Sequence, residues 1–200
     1  MTKKNRRRGN LLVWLDCEMT GLDPDRHVLL EIATIITSSN LEVVAEGPVL
    51  AIRQGPVALR RMDNWCLRTH TRSGLLKRVH KEGVSVRAAE RATLRFIRRY
   101  CRIRTAPLCG NSIGHDRRFL ARYMPELHEF FHYQSIDVST VKQLVRRWYG
   151  ASCRPPKKRK EHLALADIRE SIAELRHYRE QVFRKEAGHK NRAKKRPLTE

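Results

Sequence analysis

No stretch of the chain approaches the roughly 18 apolar residues that a membrane helix needs. The longest apolar run, Val28 to Thr37, is interrupted by Glu31. No membrane association is therefore expected. Acids are scarce, with 21 Asp and Glu against 42 Lys and Arg and a formal net charge of +21. Cysteines are few as well. The five, Cys17, Cys66, Cys101, Cys109 and Cys153, are odd in number, and no pair has CxxC spacing. A zinc site or a disulfide framework is not expected, and a reducing compartment fits better. The first ten residues are basic but hold no apolar segment, so they do not read as a secretory signal. They are Arg-rich and free of acids, as mitochondrial presequences are, but lack an alternating apolar face and serines. A cytoplasmic protein is the expectation. No internal repeat is present.

What is present is one domain's worth of chain. Two hundred residues can bury a hydrophobic core without covalent staples. Much of the positive charge sits in three places. Lys3, Lys4, Arg6, Arg7 and Arg8 stand without an acid. Residues 154–161 carry five cations against Glu161, and residues 185–200 six against Glu186 and Glu200. The division expected is a disordered basic arm (1–10), a folded body (11–184) and a disordered basic tail (185–200). Such a balance points to nucleic acid, although tails alone can be merely solvated.

The body opens with the strand-like run Leu11 to Leu15 and turns at Gly21 and Asp23-Pro24-Asp25. Val28 to Ile36 reads as a buried strand. Val43 to Ile52 reads as another, broken at Gly47-Pro48, and the three suggest an antiparallel meander. Helices are expected over 88–100, 116–123, 139–148 and 164–184. Short strands are expected near Leu108 and Ile136. This order predicts an α/β domain with a mixed central sheet flanked by helices.

The chemistry-bearing residues are acids. Side chains alternate across a strand, so Asp16 and Glu18 share a face and Cys17 takes the other. Two carboxylates ending an apolar strand repel each other and lose hydration unless a cation binds them. Hard ions such as Mg²⁺ and Mn²⁺ take carboxylate oxygens. The plainer alternative is a pair of surface acids at a strand end. Asp116 ends the small polar loop from Gly110 and enters a helix, where an acid also serves as a simple helix-start residue. His162 and Asp167 are five apart, about 140° on a helix. They converge only if His162 lies in the loop before the helix and Asp167 in its first turns. There His162 can act as a general base; taken alone it reads as a surface histidine.

Taken together, DxE near the start, a distant Asp and H-x4-D near the end resemble the histidine-bearing branch of the DEDD exonuclease superfamily. The blocks Trp14 to Asp23, Cys109 to Gly114, Tyr123 to Leu127, Asp137 to Thr140 and Asp167 to Ser171 are similar, in order, to oligoribonucleases. The resemblance covers about residues 11–183. It implies a ribonuclease-H-like fold and 3′→5′ removal of nucleotides from very short single-stranded RNA, dinucleotides above all, with release of 5′-mononucleotides. It implies two divalent ions, Mg²⁺ or Mn²⁺, on Asp16, Glu18, Asp116 and Asp167, with His162 as general base and no small-molecule cofactor. Met19, Thr20, Gly21 and Leu22 match the loop beside the 3′ nucleotide. Trp65 and His70 match the pocket lining, although Trp65 equally fits a core position. Ser112, Ser139 and Thr140 match groups that hold the 5′ phosphate. A homodimer is implied, with Tyr133 supplying a stacking ring.

One departure stands out. The family pattern has an arginine where this chain has Gln134, which carries no charge and cannot grip a phosphate bidentately. Lys157, Lys158 and Arg159 offer themselves as substitutes. The basic arm and tail are also outside the family pattern, and recruitment to longer RNA is their expected role. Two other readings remain: a DEDD exonuclease for longer RNA or single-stranded DNA ends, and a basic RNA-binding protein without chemistry.

Overall fold

The computed structural model describes residues 10–150, 152–155 and 162–183. The basic arm beyond Asn10, the cations at 157–160 and the tail lie outside the described residues. So do the expectations placed on them.

Six strands form one sheet: β1 Leu12–Met19, β2 Leu29–Thr37, β3 Val43–Glu46, β4 Leu50–Ala51, β5 Leu108–Gly110 and β6 Ser135–Asp137. The order is β3-β2-β1-β5-β6, with β4 also on β2. β1, β2 and β3 pair antiparallel, whereas β5 runs parallel to β1 and β6 parallel to β5. The expected meander and mixed sheet are both present. The helices are α1 Pro56–Arg60, α2 Asn64–Arg72, α3 Leu75–Glu82, α4 Val86–Ile97, α5 Gly114–Tyr123, α6 Pro125–Phe130, α7 Val138–Trp148 and α8 Ala164–Gln181.

β1 is the organising element because both its faces are covered. Val13, Leu15, Cys17 and Met19 pack with α4, α5 and α6 through Leu94, Ile97, Phe119 and Leu127. Trp14, on the other face, packs with Ala33, Ile168, Ile172 and Tyr178, mainly from α8. Its indole Nε1 donates to Thr37 Oγ1 at 2.9 Å, so the one buried polar group of that ring is satisfied. By strand alternation, Asp16 and Glu18 fall on the α8 face.

Several expectations shift. β1 extends to Met19, so Asp16 and Glu18 lie within the strand rather than at its end. Pro125 ends α5 but also starts α6 as its first residue, where the missing N–H costs nothing. α4 starts at Val86 because Ser85 Oγ accepts from Ala88 N at 3.2 Å. The segment from 53 to 87, which carries no helix in the sequence reading, holds α1, α2 and α3.

Candidate active site

The site lies where β1 meets the first turn of α8. Asp16, Glu18 and Asp167 each offer a carboxylate oxygen, and these atoms all lie within 4.8 Å of one another. Asp167 occupies the first turn of α8, with Ile168 and Ile172 carrying that helix into the core. His162 precedes the helix, as the five-residue spacing requires.

The start of α8 has an unusual cap. Its N-cap residue is Leu163, which has no side-chain acceptor. Glu31 of β2 supplies one instead. Glu31 is fully buried, and its Oε2 accepts from Ala164 N at 2.9 Å. Its other oxygen is bound by the Arg78 guanidinium of α3. A buried carboxylate is tolerable only when paired and hydrogen-bonded, and both conditions are met here. Glu31 stands directly across from Glu18 in the β1–β2 register. The same residue therefore anchors α8 and adjoins the acidic cluster.

Asp116 sits in the first turn of α5 and is 5% exposed. Its Oδ1 accepts from Cys17 N at 2.9 Å. β5 ends at Gly110, so β1 has an unpaired N–H beyond it, and Asp116 fills that place on the edge between the other two acids.

Charge crowding raises the acids. Burial, then Asp116 and Glu18, push Asp16 well above the usual carboxylate range. Burial, followed by Asp167 and Glu31, pushes Glu18 up to about 8. Burial lifts Asp116 to about 7 against the opposing Cys17 N–H bond. Such a cluster is costly as bare anions and suits a hard divalent cation.

His162 and Trp65 meet edge to face, ring centroids 5.1 Å apart at 86°. Trp65 is 53% exposed, so it is not a core residue. α2 carries both Trp65 and His70 and is tied to the end of β1. Asp63 caps it through Cys66 N at 2.7 Å, and Asp63 N donates to Thr20 O at 3.1 Å. His70 is buried, and its Nε2 lies 2.9 Å from Met19 O, which assigns the proton to Nε2. Its Nδ1 is left without a partner, 3.9 Å from Glu18 Oε2. Burial lowers the His70 pKa, so this contact is not an ion pair.

At the end of β1 and the start of the loop after it, Met19 and Thr20 are buried. Thr20 Oγ1 is used to accept from Val28 N at 3.0 Å. Gly21 is pressed by the His27 ring, 2.5 Å from where a Cβ would stand. Of Met19 to Leu22, only Leu22, at 60% exposure, presents a side chain to solvent.

Ser112 and Ser139 come together on the β5–β6 side, Oγ to Oγ 3.1 Å. Asp137 Oδ1 accepts from Ser112 N at 3.0 Å and Ser139 N at 2.8 Å. Asn111 Oδ1 accepts from Ser139 Oγ at 3.3 Å, and its Nδ2 donates to Ser171 Oγ of α8 at 2.8 Å. Thr140 is exposed beside this group. Ser112 and His162 have φ of 50° and 51°, left-handed values that store strain in two predicted site loops. Tyr133 stands apart at 78% exposure, its ring 4.4 Å from that of His132.

Sequence reasoning passed over Glu31, Asp63, Asn111, Asp137 and His27 as supports. Glu31 had a visible signal: it is the lone acid in an otherwise apolar strand.

Comparison with known proteins shows the family. The RNase_T family profile, described as Exonuclease, matches residues 13–175. The oligoribonuclease of Marinobacter nauticus is 54% identical over 176 residues, covering 88% of this chain and 98% of the relative. That of Aeromonas hydrophila is 56% identical over 173 residues, covering 86% and 96%. Among solved structures, exonuclease I from Methylocaldum szegediense superposes with TM-score 0.62 at 20% identity, covering 86% of this chain and 41% of its own. A product-bound exonuclease I gives 0.65 at 16% identity, covering 86% and 43%. The chain spans about two fifths of those exonucleases, which share its ribonuclease-H-like fold.

Proposed function

Because the chain belongs to the RNase_T exonuclease family, and within it to the oligoribonucleases, it is a 3′→5′ exoribonuclease, and we propose that very short RNA, dinucleotides above all, is its substrate. The carrying observation is the convergence of Asp16, Glu18 and Asp167 within 4.8 Å, with Asp116 bonded to the Cys17 N–H between two of them.

The family is divalent-metal dependent, and the donor set fits: clustered carboxylate oxygens, with Asp16 and Glu18 pushed up by burial and by neighbouring acids. Asp16, Glu18 and Asp167, with Asp116 next to them, would hold two ions, Mg²⁺ or Mn²⁺. When bound, such ions stabilise charge on the attacking and leaving oxygens of a phosphodiester. His162 takes the proton from the attacking water, steered by the Trp65 ring. The 3′-most phosphodiester is hydrolysed and a 5′-mononucleotide leaves. Exposed Leu22 and Trp65 flank the bases, while the Met19–Gly21 backbone and buried His70 shape the floor. Ser112, Ser139 and Thr140 receive the 5′ phosphate. In this reading the protein is a cytoplasmic homodimer, and the exposed Tyr133 reaches the partner's substrate. Gln134 beside it supplies no charge, so the preference for a 5′ phosphate is weaker than an arginine would give.

The test is cleavage of 5′-phosphorylated RNA, from dinucleotide to heptanucleotide, with Mg²⁺ or Mn²⁺, beside Asp116→Ala. Fast, metal-dependent loss of the dinucleotide, absent in the variant, is the expected result. Activity that rises with RNA length moves the substrate to longer strands, and no activity with either metal overturns the catalytic reading.

A further inference from the structure

α4 presents a second charged surface that the active site does not use. Arg87, Arg91 and Arg95 of α4 and Arg98, which caps its C-terminal end, are all exposed and recur at intervals of four, four and three residues. At 100° per residue they fall within an arc of about 80°, along about 16 Å of helix. The opposite side of α4 is buried through Ala89, Thr93 and Ile97.

An ordinary solvated helix face interleaves signs, because like charges four apart destabilise a helix. α4 does the reverse. Its one acid, Glu90, is buried and accepts from Leu127 N at 3.1 Å. No ion pair joins any of the four arginines to a carboxylate among the described residues. Nearby Arg104, by contrast, is paired with Glu129 at 2.9 Å. A groove of about 390 Å³ runs along this face, lined by Arg91, Arg95, Arg98 and Arg99 together with Leu94, and Glu126 is its only acid.

Protein hot spots combine Arg with buried Trp and Tyr anchors. No large apolar residue of α4 is exposed, so the face offers charge without such anchors. Regularly spaced guanidinium groups suit a polyanionic backbone, because each can bind a phosphate bidentately. α4 packs on the sheet face opposite to the one carrying Asp16 and Glu18. A dinucleotide held at the carboxylates cannot reach it.

We propose that the arginine face of α4 is a docking surface for the phosphate backbone of long single-stranded RNA, separate from the catalytic site. Its role is to hold the enzyme on RNA far longer than the fragments it hydrolyses. The proposal does not depend on dinucleotide preference, since binding can be read with cleavage blocked.

The experiment measures binding of a long, labelled single-stranded RNA to the full chain in EDTA, across a salt series. The variants are the quadruple R87Q/R91Q/R95Q/R98Q and the matching quadruple of Arg→Lys. Affinity in the Gln variant should fall ~10-fold or more at low salt. Its salt slope should be shallower by about 0.7 for each phosphate that an arginine no longer neutralises. Dinucleotide turnover should equal that of the parent, which also shows that the variant is folded. The Lys variant should recover most of the slope. If the quadruple does not fold, R87Q/R91Q and R95Q/R98Q should each show part of the change. Unaltered affinity and slope in the Gln variants would overturn the proposal. So would loss of polyglutamate binding with RNA binding intact, which would make the face a site for an acidic protein.

Discussion

At the residue scale, the acids and His162 do different work, and their variants should separate. In His162→Ala the general base is gone while the carboxylates remain. kcat should fall about 10²–10⁴-fold. Mn²⁺ affinity, measured by calorimetric titration, should stay near that of the parent. In Asp16→Asn both should collapse, because Asp16 lies within the three-carboxylate cluster. Equal loss of Mn²⁺ binding in both variants would sink this division of roles. Part of the site's layout was legible in the sequence for a physical reason, while the roles came from the family resemblance. Strand alternation puts Asp16 and Glu18 on one face, and the five-residue offset lets His162 and Asp167 converge only with His162 ahead of the helix. The supports were not legible, because nothing local links Glu31 to Ala164 or Asn111 to Ser171. Those pairs exist only after β2 and the loop following β5 have met α8.

At the element scale, the hidden part was α1 to α3. α2 buries Cys66, Thr69 and His70 rather than a stripe of large aliphatics, so its sequence shows no apolar period. α3 does bury Leu75 and Val79 at a spacing of four, a short signal within a basic segment. These helices matter because α2 delivers Trp65 and His70, and α3 delivers Arg78. The Arg78–Glu31–Ala164 chain links three elements, so its loss should be felt in both stability and rate. Arg78→Ala leaves a buried carboxylate without its cation and should cost about 3 kcal/mol in urea unfolding. Glu31→Gln removes the charge but can keep one acceptor, and should cost roughly 1–2 kcal/mol. In both variants kcat should fall more than KM changes, because the start of α8 loosens while Leu22 and Ser112 stay in place. A stability loss with unchanged kcat would confine this set of bonds to a structural role.

At the scale of the whole molecule, the mixed sheet followed from the order of strands and helices. The three-residue strands β5 and β6 were visible only as fragments, since their pairing is set by neighbours rather than by length. The same sheet gathers carboxylates whose protons are shared with the stability of the entire domain. Folded Glu18 titrates at about 8 and Asp116 at about 7, whereas unfolded carboxyls titrate near 4. Between those values the folded state binds more protons than the unfolded state. Metal-free stability from these groups is therefore fully present below about pH 4 and is lost as pH rises through about 8. The protein's high net positive charge works in the opposite direction, because its self-repulsion eases as pH rises. A Glu18→Gln/Asp116→Asn double variant keeps that background and removes the two titrating acids. In EDTA, the Tm of the parent minus that of the variant should thus fall steadily from about pH 5 to about pH 8. Divalent ions need the ionised acids, so the rise in parental Tm on adding Mg²⁺ should grow over the same range and level off above it. A Tm difference that climbs with pH in EDTA would mean that Glu18 and Asp116 are already ionised and paired in the metal-free fold.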